Sequence, residues 1–183
     1  MSKSPAVFLD RDGVINAVSI KHGKSYPPEA VDSCVILPGV KESLLELKKA
    51  GFQLVVVTNQ PDVARGTTSI SIIERIHDML RQELPLDAIY VCYHDNSDNC
   101  ACRKPKPGML LKAAVDKHID LNTSFMVGDR WKDIAAGKAA GVKTVWIRNE
   151  YDEKMPDDYD VSAFSLKEAL PCIIGCVTFK EEQ

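Results

Sequence analysis

Three kinds of segment are missing from this chain. No apolar run approaches the ~18 residues of a membrane-crossing helix, so no helical span is expected. No excess of one charge exists: 23 Lys and Arg stand against 26 Asp and Glu, and the formal net charge is −3. That balance counts against a surface built to hold nucleic acid. The opening "MSKSPAVFLDRDG" lacks the long apolar stretch and small-residue cleavage site of a secretory signal, so a cytoplasmic protein is expected. Internal repeats and low-complexity tracts are also missing.

What is present is ordinary globular material, 45% apolar and 27% charged over 183 residues. Such a chain has the length for one domain, 1–183, with a sizeable core. Its six cysteines are distributed unevenly. Cys92, Cys100 and Cys102 crowd with His94 into "VCYHDNSDNCACRKPKPG". In a reducing compartment such a cluster reads as a metal site rather than a disulfide frame. Cys34, Cys172 and Cys176 stand apart and read as buried thiols.

Apolar runs alternate with segments of helical period. "AVFLD", "FQLVVVTN", "AIYVCYH", "SFMVGD" and "KTVWIR" read as strands. "GVKESLLELKKAG", "SISIIERIHDMLRQEL", "PGMLLKAAVDKHI" and "WKDIAAGKAAG" read as helices, with Pro107 placed to begin the third and Gly141 to close the fourth. The alternation predicts an α/β fold with a mainly parallel sheet. Residues 17–37 read as a long loop, and "PCIIGCVTFKEEQ" as an added edge strand. His77 and His118 fall in the helical segments and are expected at the surface.

In open parallel sheets, ligands bind beyond the carboxyl ends of the strands. The first strand ends in Asp10, Arg11 and Asp12. The second ends in Thr58 and Asn59. The third runs into the cysteine cluster, Arg103 and Lys104, and the fourth ends in Asp129 and Arg130. Three carboxylates, a hydroxyl and the cations Arg103, Lys104 and Arg130 therefore meet at one edge, with Arg11 between the first two acids. Gathered carboxylates need a cation, and hard oxygen donors beside a phosphate suit Mg²⁺. The chemistry implied is phosphoryl transfer, governed by positioning and charge neutralisation. An EF-hand is excluded, because its Gly and Glu positions hold Ile15 and Lys21.

"FLDRDGVIN", "VVVTNQ", "CACRKPKPGML" and "MVGDRWKDI" resemble the four ordered motifs of the haloacid dehalogenase superfamily of phosphatases, over roughly residues 6–148. The resemblance implies a Rossmann-like three-layer sandwich and a phosphoric monoester hydrolase. Asp10 would be the nucleophile that becomes an aspartyl-phosphate, and Asp12 the general acid and then base. Thr58 and Lys104 would hold the transferring phosphoryl group. Asp10, Asp129 and the backbone carbonyl of Asp12 would bind Mg²⁺. Each interval between motifs holds a single loop or helix, so no separate cap domain is expected.

Cys92-x-His94 and Cys100-x-Cys102 supply four ligands. Such a set suits a closed, structural, tetrahedral Zn²⁺ site that would stabilise the loop. Within the superfamily this loop resembles those of the heptose bisphosphate phosphatases and the histidinol-phosphate phosphatases, and "VARG" with "CRKPKPGML" is closer to the first. That resemblance makes Arg103 and Arg130 substrate-binding residues, with Asn59 beside them, for a small phosphorylated sugar. Arg130 replaces a Lys of the family pattern and Pro61 a Ser. His22, Lys21 and Lys24 are candidates for a second phosphate. A DNA 3′-phosphatase and a non-enzymatic phosphate receiver stay open as alternatives, and Asp12 discriminates against the second. Short loops without heptads predict a monomer.

Overall fold

The structure is a computed structural model and describes residues 3–178. Six strands form one parallel sheet: β1 (Ala6–Leu9), β4 (Gln53–Asn59), β5 (Ala88–Cys92), β6 (Phe125–Gly128), β7 (Lys143–Ile147) and β8 (Val161–Ala163). Their spatial order is β5-β4-β1-β6-β7-β8. Every side chain of β1 is fully buried, as a central parallel strand covered on both faces requires. Alternation along it separates two cores. Val7 and Leu9 face one side, while Ala6 and Phe8 face the other.

Five helices cover the two faces: α1 (Val40–Lys49), α2 (Ile70–Glu83), α3 (Gly108–Asp116), α4 (Trp131–Ala140) and α5 (Leu166–Thr178). Leu44 and Leu47 of α1, Ile76 and Leu80 of α2, and Ala169 and Ile173 of α5 join Val7 and Leu9. Met109, Leu110 and Ala113 of α3 and Ala136 and Ala140 of α4 join Phe8 and Val57. The result is a three-layer, Rossmann-like sandwich. Local signals set the helix ends. The Ser69 hydroxyl accepts from the Ile72 amide at the start of α2. Gly141, in the left-handed region, closes α4.

Three expectations change. Residues 17–37 are not irregular throughout: β2 (Ser19–Lys21) and β3 (Lys24–Tyr26) form an antiparallel hairpin. Both strands are largely exposed, so no apolar alternation marked them. The C-terminal segment is helix α5, not an edge strand, with Ala169 and Ile173 fully buried at a spacing of four. Pro171 lies inside it, and that proline with the β-branched run masked the period; residues 179–183 of the expected strand lie outside the described residues. Of the three separate cysteines, Cys34 and Cys176 are half-buried and Cys172 is exposed. Beyond the hairpin, the connections between strands are loops, short 3-10 turns and single helices, so the described residues contain no separate cap. No helix among them is long and apolar enough to cross a membrane.

Candidate active site

The chain leaves β1 for β4 on one side and reaches β6 on the other. A cleft opens at this switch in direction, beyond the strand ends. It has a volume of about 400 Å³ and is lined by Asp10, Asp12, Lys104 and Asp133, with Arg103 and Arg130 among the cations at its rim.

Asp10 follows β1 directly and is only 6% exposed. Its Oδ1 accepts from the Lys104 ammonium at 2.8 Å. Lys104 is 2% exposed, and its other donors reach the Val57 carbonyl and the Asp133 carboxylate, each at 2.7 Å. The Asn59 side chain grips the Lys104 backbone, donating to its carbonyl at 3.0 Å and accepting from its amide at 3.1 Å. The end of β4 thereby fixes the lysine at the start of the segment leading to α3. Thr58 is buried beside it, and its hydroxyl accepts from Gln60 at 2.9 Å.

Asp129 follows β6, and both of its carboxylate oxygens are buried, with the Tyr151 hydroxyl the side-chain donor beside them. Its backbone carbonyl accepts from the Trp146 indole at 3.2 Å and from the Asn149 amide. Two glycines make the close approach. A Cβ on Gly13, whose φ is +92°, would lie 2.1 Å from an Asp129 oxygen. One on Gly128 would lie 2.1 Å from the Asp133 Cβ. Neither position admits a side chain unless the carboxylates move.

Asp10, Asp129 and Asp133 place carboxylate oxygens within 4.8 Å of one another. One ammonium against three buried carboxylates leaves two negative charges uncompensated. Burial pushes Asp10 up to about 6, against the pull of Lys104, and pushes Asp129 well above the usual carboxylate range with help from Asp10. A hard divalent cation removes that conflict, and the all-oxygen donor set fits Mg²⁺.

Asp133 was not singled out in the sequence, although "GDRWKD" contains it. Its signal was the spacing of four from Asp129 at a helix start. There its Oδ2 accepts from the Arg130 amide at 2.9 Å and so also caps α4. Asp12 lines the cleft apart from this cluster. Its carboxylate accepts from Arg11 at 2.9 Å and also from Asn16 and Gln60. His77 is a further correction: it is fully buried against Arg11, not at the surface. His118 is exposed, in the turn that follows α3.

The substrate-binding candidates lie at the rim. Arg103 donates to Asn96 at 2.9 Å and to the His94 carbonyl at 3.1 Å. Arg130 is held in a two-pronged pair by Glu153 at 2.6 and 2.7 Å. Lys24 also lines the cleft, but Lys21 and His22 do not. The hairpin turn is tied down by the Asp152 amide, which donates to the Gly23 carbonyl at 2.8 Å.

Just before Arg103, the Cys92, His94, Cys100 and Cys102 ligand atoms converge. Neighbouring sulfur and Nδ1 atoms stand 3.3 to 3.7 Å apart. Those gaps are far too long for a disulfide. They match the edges of a tetrahedron with bonds of ~2.0–2.3 Å, so the set fits Zn²⁺.

A family model for haloacid dehalogenase-like hydrolases matches residues 17–141. The D-glycero-beta-D-manno-heptose-1,7-bisphosphate 7-phosphatase of Escherichia coli (strain K12) is 43% identical over 157 residues, 79% of each chain. The protein of that name from Helicobacter pylori (strain J99) is 35% identical over 179 residues, 94% of this chain and 99% of that one. A crystal structure of D,D-heptose 1.7-bisphosphate phosphatase from B. bronchiseptica, complexed with magnesium and phosphate, superposes with a TM-score of 0.76 at 28% identity. The match covers 98% of this chain and 99% of that one. Parallel sheet, carboxylate cluster and relatives agree: the chain belongs to the haloacid dehalogenase-like hydrolases and is a phosphomonoester hydrolase.

Proposed function

We propose that the protein removes one phosphate from a sugar bisphosphate through an aspartyl-phosphate on Asp10, and that this is the 7-phosphate of D-glycero-D-manno-heptose 1,7-bisphosphate. The observation that carries the reading is the buried carboxylate of Asp10, bonded to Lys104 at the foot of the cleft and clustered with the buried carboxylates of Asp129 and Asp133. Asp10 attacks phosphorus while Asp12 gives its proton to the leaving oxygen. Asp12 then takes a proton from the water that hydrolyses the aspartyl-phosphate. Lys104 and Thr58 hold the transferring group. Asp10, Asp129 and the Asp12 carbonyl would hold Mg²⁺, with Asp133 added to that set by its place in the cluster. Bound there, the cation neutralises phosphate oxygens and keeps Asp10 ionised.

The cationic rim of Lys24, Arg103, Arg130 and Lys132 suits a second anionic group, with Asn59 holding the adjacent chain. The relatives' names supply the heptose. The cysteine–histidine set would hold structural Zn²⁺ and stiffen the loop carrying Arg103 and Lys104. We further read the protein as a cytoplasmic monomer forming one domain over 1–183. The substrate is tested by comparing both anomers of the heptose bisphosphate with histidinol phosphate. A preference for histidinol phosphate would overturn the heptose assignment. The intermediate is tested with Asp10→Asn, which should stay folded and lose turnover by at least about 1,000-fold; unchanged turnover removes the nucleophile assignment.

A further inference from the structure

A row of polar side chains runs from Asp12 away from the cleft and into the protein. Arg11 is fully buried. Its Nε and Nη2 donate to Asp12 at 2.9 to 3.1 Å. Its Nη1 lies 3.1 Å from Nε2 of His77 on α2. Arginine only donates, so that Nε2 must carry the lone pair. The ring proton then sits on Nδ1, which faces Glu74 Oε1 at 3.2 Å. The same Glu74 oxygen accepts from the Tyr93 hydroxyl, and Tyr93 immediately follows β5. Every donor in the row therefore faces an acceptor, and α2 supplies two of those acceptors, His77 and Glu74.

This arrangement suits a neutral histidine. Burial, then the nearby Arg11 cation, hold the imidazole below its usual range. A neutral ring offers Arg11 the one acceptor that its third donor direction needs. With Nη1 fixed, the planar guanidinium cannot rotate, and its remaining edge meets both oxygens of Asp12. Asn16 at 3.0 Å and Gln60 at 2.8 Å complete the contacts of that carboxylate, whose side chain is 17% exposed and opens to the cleft.

We propose that His77 and Arg11 are positioning residues for the acid/base step: His77 locks the guanidinium, and the guanidinium aims the Asp12 carboxyl at the leaving oxygen. The proposal rests on the reading of Asp12 as the acid and base. In the step concerned, a bond forms between Asp10 and phosphorus. The bond from phosphorus to the leaving oxygen breaks, and the Asp12 proton passes to that oxygen.

The test uses leaving groups. The ratio kcat/KM extends only to the first irreversible step, release of the alcohol, so it contains the acid step and excludes the later hydrolysis. A nitrophenyl phosphate departs with little need of a proton, whereas an alkyl or sugar phosphate needs one. His77→Phe, which removes the acceptor, should lower kcat/KM for the sugar phosphate about 10- to 100-fold and for the nitrophenyl ester less than about 3-fold. His77→Gln, which keeps an acceptor within reach of Arg11, should recover most of the loss. Tyr93→Phe, at the half-buried outer end, carries the same test in a smaller measure if His77→Phe fails to fold. Equal losses on the two esters, or no loss, would overturn the proposal. Asp12→Asn is the reference: if it shows no difference between the esters, the role of Asp12 fails rather than that of the residues behind it.

Discussion

Asp133 does two things at once. One carboxylate oxygen caps α4 through the Arg130 amide, and the other pairs with Lys104. Asp133→Asn can keep the first contact, but it turns an amide toward the ammonium or the cap. The expected result is a folded protein whose Mg²⁺ affinity, read by titration calorimetry, is weaker by about 10- to 100-fold. His77 titrates in the opposite sense to a paired histidine. Its folded-state value lies below the ordinary 6.5 because of burial and then Arg11. The unfolded chain therefore binds the proton more readily. Stability is full above about pH 6.5 and is lost as pH falls below it. His77→Gln removes that group, so its urea midpoint should fall less than that of the wild type between about pH 7 and about pH 5.5.

At the scale of elements, α5 shows how a terminal segment becomes core. Ala169 and Ile173 are one turn apart and fully buried, whereas Cys172 beside them is exposed. Ile173→Ala should cost about 2–5 kcal/mol in urea unfolding, and Cys172→Ala within about 0.5 kcal/mol. Equal costs would contradict the helical placement. The hairpin of β2 and β3 contributes to the cleft instead of the core, since Lys24 and Tyr26 line it. Lys24→Ala should raise KM for a bisphosphate about 3- to 10-fold, with kcat nearly unchanged, because it removes an outlying charge contact and nothing at the reacting phosphorus.

Across the whole molecule, two clusters hold opposed preferences for metal. The carboxylate set carries uncompensated buried charge, so Mg²⁺ should stabilise the protein by about 2.7 kcal/mol at one hundred times its dissociation constant. Asp129→Asn should abolish that gain while raising the melting temperature of the metal-free form. The cysteine–histidine set lies ahead of Arg103 and Lys104. Chelation of zinc, or Cys100→Ser, should raise KM and lower kcat without altering the dependence on Mg²⁺. Full activity after zinc removal would leave that set as a fold staple only.

The sequence by itself determined the order β1, α1, β4, α2, β5, α3, β6, α4 and β7, and which residues stand at strand ends. Apolar period and helix caps are local properties, written within ten or so residues. It also carried the four-ligand spacing of Cys92, His94, Cys100 and Cys102. Tertiary structure alone decided three matters. Lys104 and Asp133 are brought onto Asp10 across wide separations by the crossing of the chain at β1. His77 sits on the apolar stripe of α2, where periodicity marks burial but cannot say that a buried polar ring has a partner; Arg11, 66 residues away, is that partner. The exposed hairpin and α5 owe their form to what they pack against, since neither carries a clean period of its own. Local rules reach as far as one element, and burial of charge is settled only when distant elements meet.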